Sequence, residues 1–202
     1  MGYEKSARSV AHIIEAASVA LARQGYAKTS LMDIAREAGM SKGAVHYHFP
    51  TKESLIGQVL QRSLQRVQER TLAAWAEGKD SSGSTRSSLE ELWRLRAQRT
   101  DEAIIVADLL VQSLHDEQLR PQMASFYAEA AEQMRSHLEQ LTETLGVTFK
   151  IPLPLLPRVI LAVLDGLSLQ SYVDSESLDG TAVVDAIETL LLSLVHFPGA
   201  DQ

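Results

Sequence analysis

The length, composition and charge of the chain exclude several classes of protein. Its 202 residues allow one or two domains with a substantial core, and 45% hydrophobic with 22% charged residues is typical of a globular protein. Cysteine is absent, which excludes a disulfide framework and a thiolate zinc site. The net charge of −7 is uneven, because residues 1–52 carry seven basic and four acidic groups, a net of +3, and the remainder carries −10. A basic end on an acidic body is typical of a protein that presents one end to a polyanion.

No targeting or membrane segment is predicted. The N-terminus lacks a basic region followed by an apolar run. The most apolar stretch, residues 151–173, contains three prolines together with Arg158 and Asp165. We therefore expect a cytoplasmic protein that does not contact a membrane.

Two helices are predicted at the start of the chain. Apolar residues with helical spacing indicate a first helix over residues 9–24, and Gly25 follows at a C-cap position. A second, short helix is predicted over residues 31–38. Ser30 and Asp33 form the pattern of a capping box at its start.

A third and a fourth helix follow closely. Gly39 ends the second helix, and Ser41 is the predicted cap of a third helix that runs to about residue 48. Pro50 ends it, because the residue before a proline is driven out of the helical region. Thr51 then caps a long helix that extends toward residue 77.

The second and third helices have the spacing of a helix-turn-helix. Ile34 and Val45 are the apolar residues that pack one helix on the other, and Ala35 is small where the helices cross. The exposed face of the third helix is expected to carry Lys42, Gly43, Ala44, His46, Tyr47 and His48. Spacing alone fits a DNA-binding domain and an all-helical packing motif equally well.

Residues 25–55, GYAKTSLMDIAREAGMSKGAVHYHFPTKESL, resemble the signature of the tetracycline-repressor (TetR) family without a gap. The resemblance implies an all-α homodimer. Residues 1–52 would form a three-helix DNA-binding domain, and residues 53–202 a C-terminal bundle for ligand binding and dimerisation. Two recognition helices would then enter successive major grooves of a palindromic operator in double-stranded DNA.

The same resemblance implies roles for individual residues. Lys42, Gly43, Ala44 and Tyr47 stand where the family contacts base edges or nearby backbone, and Thr29, His46, His48 and Lys52 where it holds phosphates or props the helix. Ser30, Ser41 and Thr51, at helix starts, complete the predicted DNA-binding set. The family commonly has a tyrosine at the position of His46, and here the tyrosine is Tyr47, so the role of His46 stays open.

Residues 78–86, between the fourth helix and the rest of the chain, are predicted to be a flexible polar loop. They match a phosphate-binding loop except that Ser84 replaces the essential lysine, and no strand precedes them. We therefore interpret them as a linker.

The remaining sequence predicts a helical bundle, with helices over residues 88–99, 102–114, 117–145, 155–173 and 181–196. The last two helices carry apolar residues on a second side. Either they lie inside a large bundle or they meet another subunit. The size of the chain favours the subunit contact, as does the TetR family, whose last two helices pair across a two-fold axis.

The same resemblance implies that a small effector in the C-terminal bundle would shift the fourth helix. The two DNA-binding domains of the dimer would then no longer match the spacing of successive major grooves. The candidate wall residues are Trp93, Asp108, Gln112, Met123, Phe126, Met134, His137 and Asp165. The aromatic and methionine side chains are more often plain core. Asp165 needs a partner, which is either a ligand or a helix or subunit contact. We expect a largely apolar effector.

No catalytic residue, cofactor or metal is predicted. The sequence shows no nucleophile elbow, paired-histidine zinc motif or glycine-rich dinucleotide turn, and we interpret residues 115–117, His-Asp-Glu, as a solvated face. One alternative stays open: a DNA-binding regulator without a small-molecule ligand, which acts constitutively or through a protein partner.

Overall fold

The computed structural model describes residues 2–174, 176 and 178–196, with side chains from residue 6 onward. This part of the chain is helical, with one pair of two-residue strands. Residue 1 of the first predicted domain and residues 197–202 of the second lie outside the described residues. The elements are α1 Gly2–Gln24, α2 Leu31–Glu37, α3 Lys42–His48, α4 Lys52–Glu77, α5 Ser81–Ala97, α6 Asp101–Ser113, α7 Arg120–Leu145, β1 Thr148–Phe149, α8 Leu156–Val173, α9 Gly180–Leu194 and β2 Val195–His196.

The chain divides into two compact units. The first unit comprises the chain up to Gln65 together with Arg99–Phe126, and the second comprises Arg66–Gln98 together with the chain from Tyr127 onward. In the first unit, α1 packs against α2 and α6, and α2 packs against α3. Residues 2–52 of the predicted DNA-binding domain lie within the first unit, together with α6.

The local signals at the start of the chain act as predicted. The Ser30 side chain accepts a hydrogen bond from the Asp33 amide, and the Asp33 carboxylate accepts one from the Ser30 amide, so the capping box is complete. Gly25 and Gly39 have φ values of 76° and 61°, in the left-handed region that glycine adopts without steric cost. Ile34, Ala35 and Val45 are buried, as packing of the two short helices requires.

The predicted loop over residues 78–86 is too long, because only residues 78–80 link α4 to α5 and α5 begins at Ser81. Asp80 caps that helix, and its Oδ1 accepts the Gly83 amide at 2.8 Å. A Cβ at Gly78 would lie 2.3 Å from the Ser84 nitrogen, so the glycine permits a close approach to the first turns of α5. Packing of this kind outweighs the low intrinsic helix propensity of a glycine- and serine-rich segment.

The predicted helices of the C-terminal bundle are confirmed within a few residues, apart from the earlier start of α5. The prediction that the last helix reaches residue 196 is corrected by β2, which pairs antiparallel with β1 through Thr148–His196 and Phe149–Val195. In the second unit, α5 packs against α8 and α9. Its buried core is formed by Leu89, Leu92, Trp93, Leu156, Ile160, Leu164, Val183, Val184 and Ile187. Among the described residues, no helix is both long and apolar enough to cross a membrane.

Candidate nucleic-acid interface

Helix α3 buries one residue and presents the others outward. Val45 is fully buried between α3 and its neighbours, and the Ser41 Oγ caps the helix by accepting the Ala44 amide at 3.2 Å. Lys42, Gly43, His46 and Tyr47 are exposed, with 82% of Tyr47 accessible, while Ala44 and His48 are half-buried. A large aromatic side chain with this exposure is unusual on a folded surface and is available to a partner.

The first turn of α3 leaves open space beside its backbone. A Cβ built at Gly43 would meet only the Ser41 Oγ, at 4.0 Å. Packing within the chain therefore does not require a glycine at this position. The Tyr47 and His48 rings lie edge to face, with centroids 5.2 Å apart, so His48 supports one side of the exposed tyrosine.

Two of the predicted phosphate contacts stand at the start of α2. Thr29 is buried, and its hydroxyl donates to the Gly25 carbonyl at 2.7 Å. Of the two roles that the resemblance implies for Thr29, this hydrogen bond is the one that props the turn. Ser30 is exposed but also caps α2 through Asp33, and the hydrogen bonds from Ser30 hold the pKa of the Asp33 carboxyl below its usual value.

Two further residues of the predicted DNA-binding set, Thr51 and Lys52, lie at the start of α4. Thr51 is exposed, and its Oγ1 accepts the Ser54 amide at 3.1 Å. Lys52 is half-buried, and its Nζ donates to the Tyr26 carbonyl at 2.5 Å and lies 3.5 Å from the centroid of the Tyr26 ring. Burial lowers the pKa of Lys52, and the charges of Glu53, Asp116 and Asp108 act in the opposite direction.

Sequence reasoning missed the group of side chains around Tyr26. The Tyr26 amide donates to Asp108 Oδ2 at 2.6 Å, and its hydroxyl lies 3.0 Å from Asp116 Oδ2 and 3.2 Å from Glu53 Oε1. Burial and the hydrogen bond to Asp116 raise the pKa of Tyr26. No local pattern signals these contacts, because Asp108 and Asp116 lie 82 and 90 residues from Tyr26.

Asp116 departs in part from the interpretation of residues 115–117 as a solvated face, because it is half-buried and hydrogen-bonded within the chain. Its Oδ1 accepts the amides of Gln118 and Leu119, and its Oδ2 faces Tyr26. These hydrogen bonds, led by that from the Leu119 amide, hold its pKa below the usual value. His115 and Glu117 are exposed. Within the described part of the chain, no group of three or more His, Cys, Asp or Glu side chains is arranged to hold a metal ion.

The eight predicted ligand-binding residues divide between the two units. Asp108, Gln112, Met123 and Phe126 belong to the first unit, and Trp93, Met134, His137 and Asp165 belong to the second. In the first unit, Asp108 is bound by Tyr26 and by Gln112, whose Nε2 lies 3.4 Å from its Oδ1, and Met123 is buried. These contacts give each of these three residues a structural role.

In the second unit the predicted residues also have partners within the chain. Trp93 belongs to the core, and Met134 packs against that core. The His137 Nδ1 lies 2.8 Å from the carbonyl of Gln133 in the preceding turn of α7. Trp93 and Met134 thus contribute to the hydrophobic core of the second unit.

Asp165 has the partner that its position in an apolar helix requires. Its Oδ1 accepts from Arg96 Nε at 2.7 Å, and its Oδ2 accepts from the Tyr127 hydroxyl at 2.9 Å. The Tyr172 hydroxyl donates to the Arg96 carbonyl. Burial and the Asp165 charge raise the pKa of Tyr127. Side chains of α5, α7 and α8 are thus joined through one carboxylate whose two oxygens are both occupied.

A groove in the first unit lies between α1 and α4. It encloses about 500 Å³ and is lined by Ser6, Ala7, Val10, Ala11, Ile14, Gln58, Gln61, Arg62 and Gln65. None of the eight predicted ligand-binding residues is among them.

An exposed short helix, held by a capped partner helix across a glycine turn, defines a helix-turn-helix DNA-binding domain. Comparison with known proteins agrees with this class. Residues 13–59 match the family described as bacterial regulatory proteins, tetR family. Residues 82–196, more than half of the chain, match the C-terminal domain of BetI-type transcriptional repressors. The chain belongs to the TetR family of transcriptional regulators.

Individual relatives and solved structures are consistent with this family. The chain is 40% identical to the HTH-type transcriptional regulator TtgR of Pseudomonas putida over 77 residues, 38% of this chain and 36% of TtgR. It thus spans about a third of the length of the first curated relatives that it matches. An uncharacterized regulator of Bacillus subtilis, YfiR, is 24% identical over 92% of this chain and 91% of its own length.

A putative TetR-family regulator of Mesorhizobium loti superposes with a TM-score of 0.75 at 22% identity, and covers 94% of this chain and 98% of its own. That likeness shows the fold. The family of this chain is one of transcriptional regulators with an N-terminal DNA-binding domain.

Proposed function

We propose that the protein is a repressor that binds a palindromic operator as a homodimer and is released by a small, largely apolar effector. It would act in the cytoplasm, where the DNA of a bacterial cell lies. The single observation that carries the DNA-binding part is the outward face of α3, with Lys42, Gly43 and Tyr47 all exposed beside a buried Val45. The further predicted contacts, His46, His48, Ser41 and Thr51, lie on or next to the same helix.

Exposed apolar residues on α8 and α9 support the homodimer. In the second unit, Leu164 and Val184 are buried against α5, whereas Val159, Leu190 and Leu192 are 37%, 53% and 56% exposed. A helix with apolar side chains on both faces buries the second face against another subunit more readily than it leaves that face in water. A palindromic operator requires two recognition helices about 34 Å apart, one turn of B-DNA, and a homodimer supplies two such helices.

The effector part of the proposal is supported by the match of residues 82–196 to repressors. A ligand releases DNA only if it binds one of two conformations more tightly than the other, and a few kcal/mol of difference suffices. A second candidate is a regulator without a small-molecule ligand. It is favoured by the placement of Asp165, Trp93 and Asp108, each of which already has a partner within its own unit.

Selection of bound sequences from a random DNA pool tests the DNA-binding part. We expect an enriched palindrome. Lys42→Gln should weaken binding to every duplex and make the salt dependence shallower by about 0.9 in log–log slope, since one phosphate contact is lost. Tyr47→Ala should also relax the sequence preference. Lys79→Gln, an exposed lysine of the second unit, is the matched control for charge.

If Lys42→Gln and Tyr47→Ala bind the selected palindrome like Lys79→Gln, α3 is not the recognition helix. A thermal-shift screen with apolar, aromatic and cationic compounds then separates the two candidates. Compounds that stabilise the protein and release the palindrome support an effector-controlled repressor. If no compound class does so, the ligand-independent regulator is the better description.

A further inference from the structure

Tyr26, in the turn between α1 and α2, is bound at both ends by acidic residues, one within α6 and one just beyond its end. Asp108 accepts the Tyr26 amide at 2.6 Å, and Asp116 accepts from its hydroxyl at 3.0 Å. The tyrosine is only 5% exposed. The turn that leads into the helix-turn-helix is therefore held in place by residues that lie far away in the sequence, within the same compact unit.

Lys52 is bound to the same tyrosine. Its ammonium donates to the Tyr26 carbonyl at 2.5 Å and stands over the face of the ring, 3.5 Å from its centroid. A carbonyl and an aromatic face are both good partners for an ammonium group, and they hold it in one position. The lysine for which the family resemblance implies either a phosphate contact or a supporting role for the helix is thus already engaged by the chain itself.

Three carboxylates lie close enough to this ammonium to act on its charge. Those of Glu53, Asp116 and Asp108 each favour the charged form of Lys52 and oppose the effect of burial on its pKa. Two of them, Asp116 and Glu53, share the single proton of the Tyr26 hydroxyl. A phosphate that approaches Lys52 must compete with the Tyr26 carbonyl and also meets the repulsion of the carboxylates.

We propose that Asp108 and Asp116, acting through Tyr26, restrain Lys52 and thereby lower the affinity of the protein for duplex DNA. Lys52 binds a phosphate when Asp108 and Asp116 release the turn. The proposal rests on the DNA-binding function proposed above and adds a regulatory element to the same site. Asp108 and Asp116 are positioning residues, because they act on DNA through Lys52.

Electrophoretic or fluorescence titration of a random-sequence duplex tests the proposal, because phosphate contacts are independent of sequence. Four proteins form a cycle: the wild type, Asp116→Asn, Lys52→Gln and the double variant. Asparagine has nearly the same size, but it removes the negative charge and accepts a weaker hydrogen bond from the Tyr26 hydroxyl than a carboxylate does. Asp101→Asn, also made in both lysine backgrounds, is the control. It removes the same charge at the start of α6, about 10 Å along the helix from Asp108.

We expect Asp116→Asn to bind the duplex about 3- to 10-fold more tightly than the wild type, with a salt dependence steeper by about 0.9, as one more phosphate contact requires. Asp101→Asn should change the affinity less and leave the slope unchanged. In the Lys52→Gln background, the gain from Asp116→Asn should fall to that of Asp101→Asn. If thermal melting shows that Asp116→Asn does not fold, Asp108→Asn is measured in the same cycle.

Equal effects of Asp116→Asn and Asp101→Asn would overturn the restraint, because only the overall charge would then matter. A gain that persists in the Lys52→Gln background would overturn the role of the lysine. The wild type itself separates the two proposals. If it binds no duplex at low salt, the DNA-binding function fails together with the restraint, whereas binding by the wild type with no coupling in the cycle refutes the restraint alone.

Discussion

Replacement of Gly43 by alanine should separate folding from DNA binding. Gly43 is exposed in the first turn of α3, and the nearest atom to an added Cβ is the Ser41 Oγ at 4.0 Å. Its φ is not in the left-handed region. The folded protein therefore accommodates the methyl group without strain, and its only effect on the isolated chain is on helix propensity.

The substitution should stabilise the folded protein and weaken its binding to the operator. Alanine is favoured over glycine in a helix by about 0.5–1 kcal/mol, and by less in a first turn, so we expect the free energy of unfolding to rise by about 0.5 kcal/mol. This corresponds to about 1–2 °C in Tm for a chain of this size. At the DNA, a methyl group inserted into a closely packed contact costs about 1–3 kcal/mol, which weakens operator binding about 5- to 150-fold.

Thermal melting and titration of the selected operator measure the two effects on one preparation. Gly39→Ala is the control, because its φ of 61° places alanine in the left-handed region at a cost of about 1–2 kcal/mol, so its Tm should fall. Its folded fraction should nevertheless bind the operator normally, since Gly39 lies in the turn before α3. Unchanged operator affinity in Gly43→Ala would show that the first turn of α3 does not approach the bases.

Three further predictions concern stability and assembly. Ser30→Ala removes the cap of α2 and should lower the free energy of unfolding by about 1 kcal/mol in urea titration, and no loss would mean that the capping box contributes nothing. Arg96→Met leaves the Asp165 carboxylate without its cation and should cost about 2 kcal/mol, more than Arg158→Met on the exposed side of α8. Leu190→Glu should convert dimers to monomers in analytical ultracentrifugation without a lower Tm for the monomer, and an unchanged mass would exclude the exposed face of α9 from the interface.

The helix-turn-helix could be predicted from sequence because its determinants are local. Ser30 and Asp33 cap α2 within four residues, Gly39 supplies a left-handed turn, and Ser41 caps α3. Each signal acts on a backbone group in the next turn of chain, so neighbouring residues suffice to predict it. The surface of α3 follows directly, since burial of Val45 on a seven-residue helix leaves most of the other side chains outside.

The start of α5 could not be predicted in the same way. Its sequence, rich in serine and glycine, favours a loop by intrinsic propensity. It is helical because Asp80 caps it and because Ser84 and Ser88 are buried within the second unit, where small side chains allow close packing. The cap was visible in the sequence, whereas the need for small residues is set by the neighbouring helix α4, whose Thr71 carbonyl accepts from Ser88.

Lys52 shows why a functional residue type is ambiguous in sequence alone. A lysine that follows a recognition helix is equally suited to a DNA phosphate and to an internal carbonyl, and its neighbours in the chain do not distinguish the two. The internal role of Lys52 depends on Tyr26, which it contacts, and on Asp108 and Asp116, which bind Tyr26. Only the tertiary fold brings these residues together. An internal partner and a DNA phosphate compete for the same ammonium group. The contact within the chain must be broken before the phosphate binds, and this lowers the affinity for DNA. The affinity of this regulator for DNA is therefore expected to depend on Asp108 in α6 and on Asp116 just beyond it, both remote from α3 in the sequence.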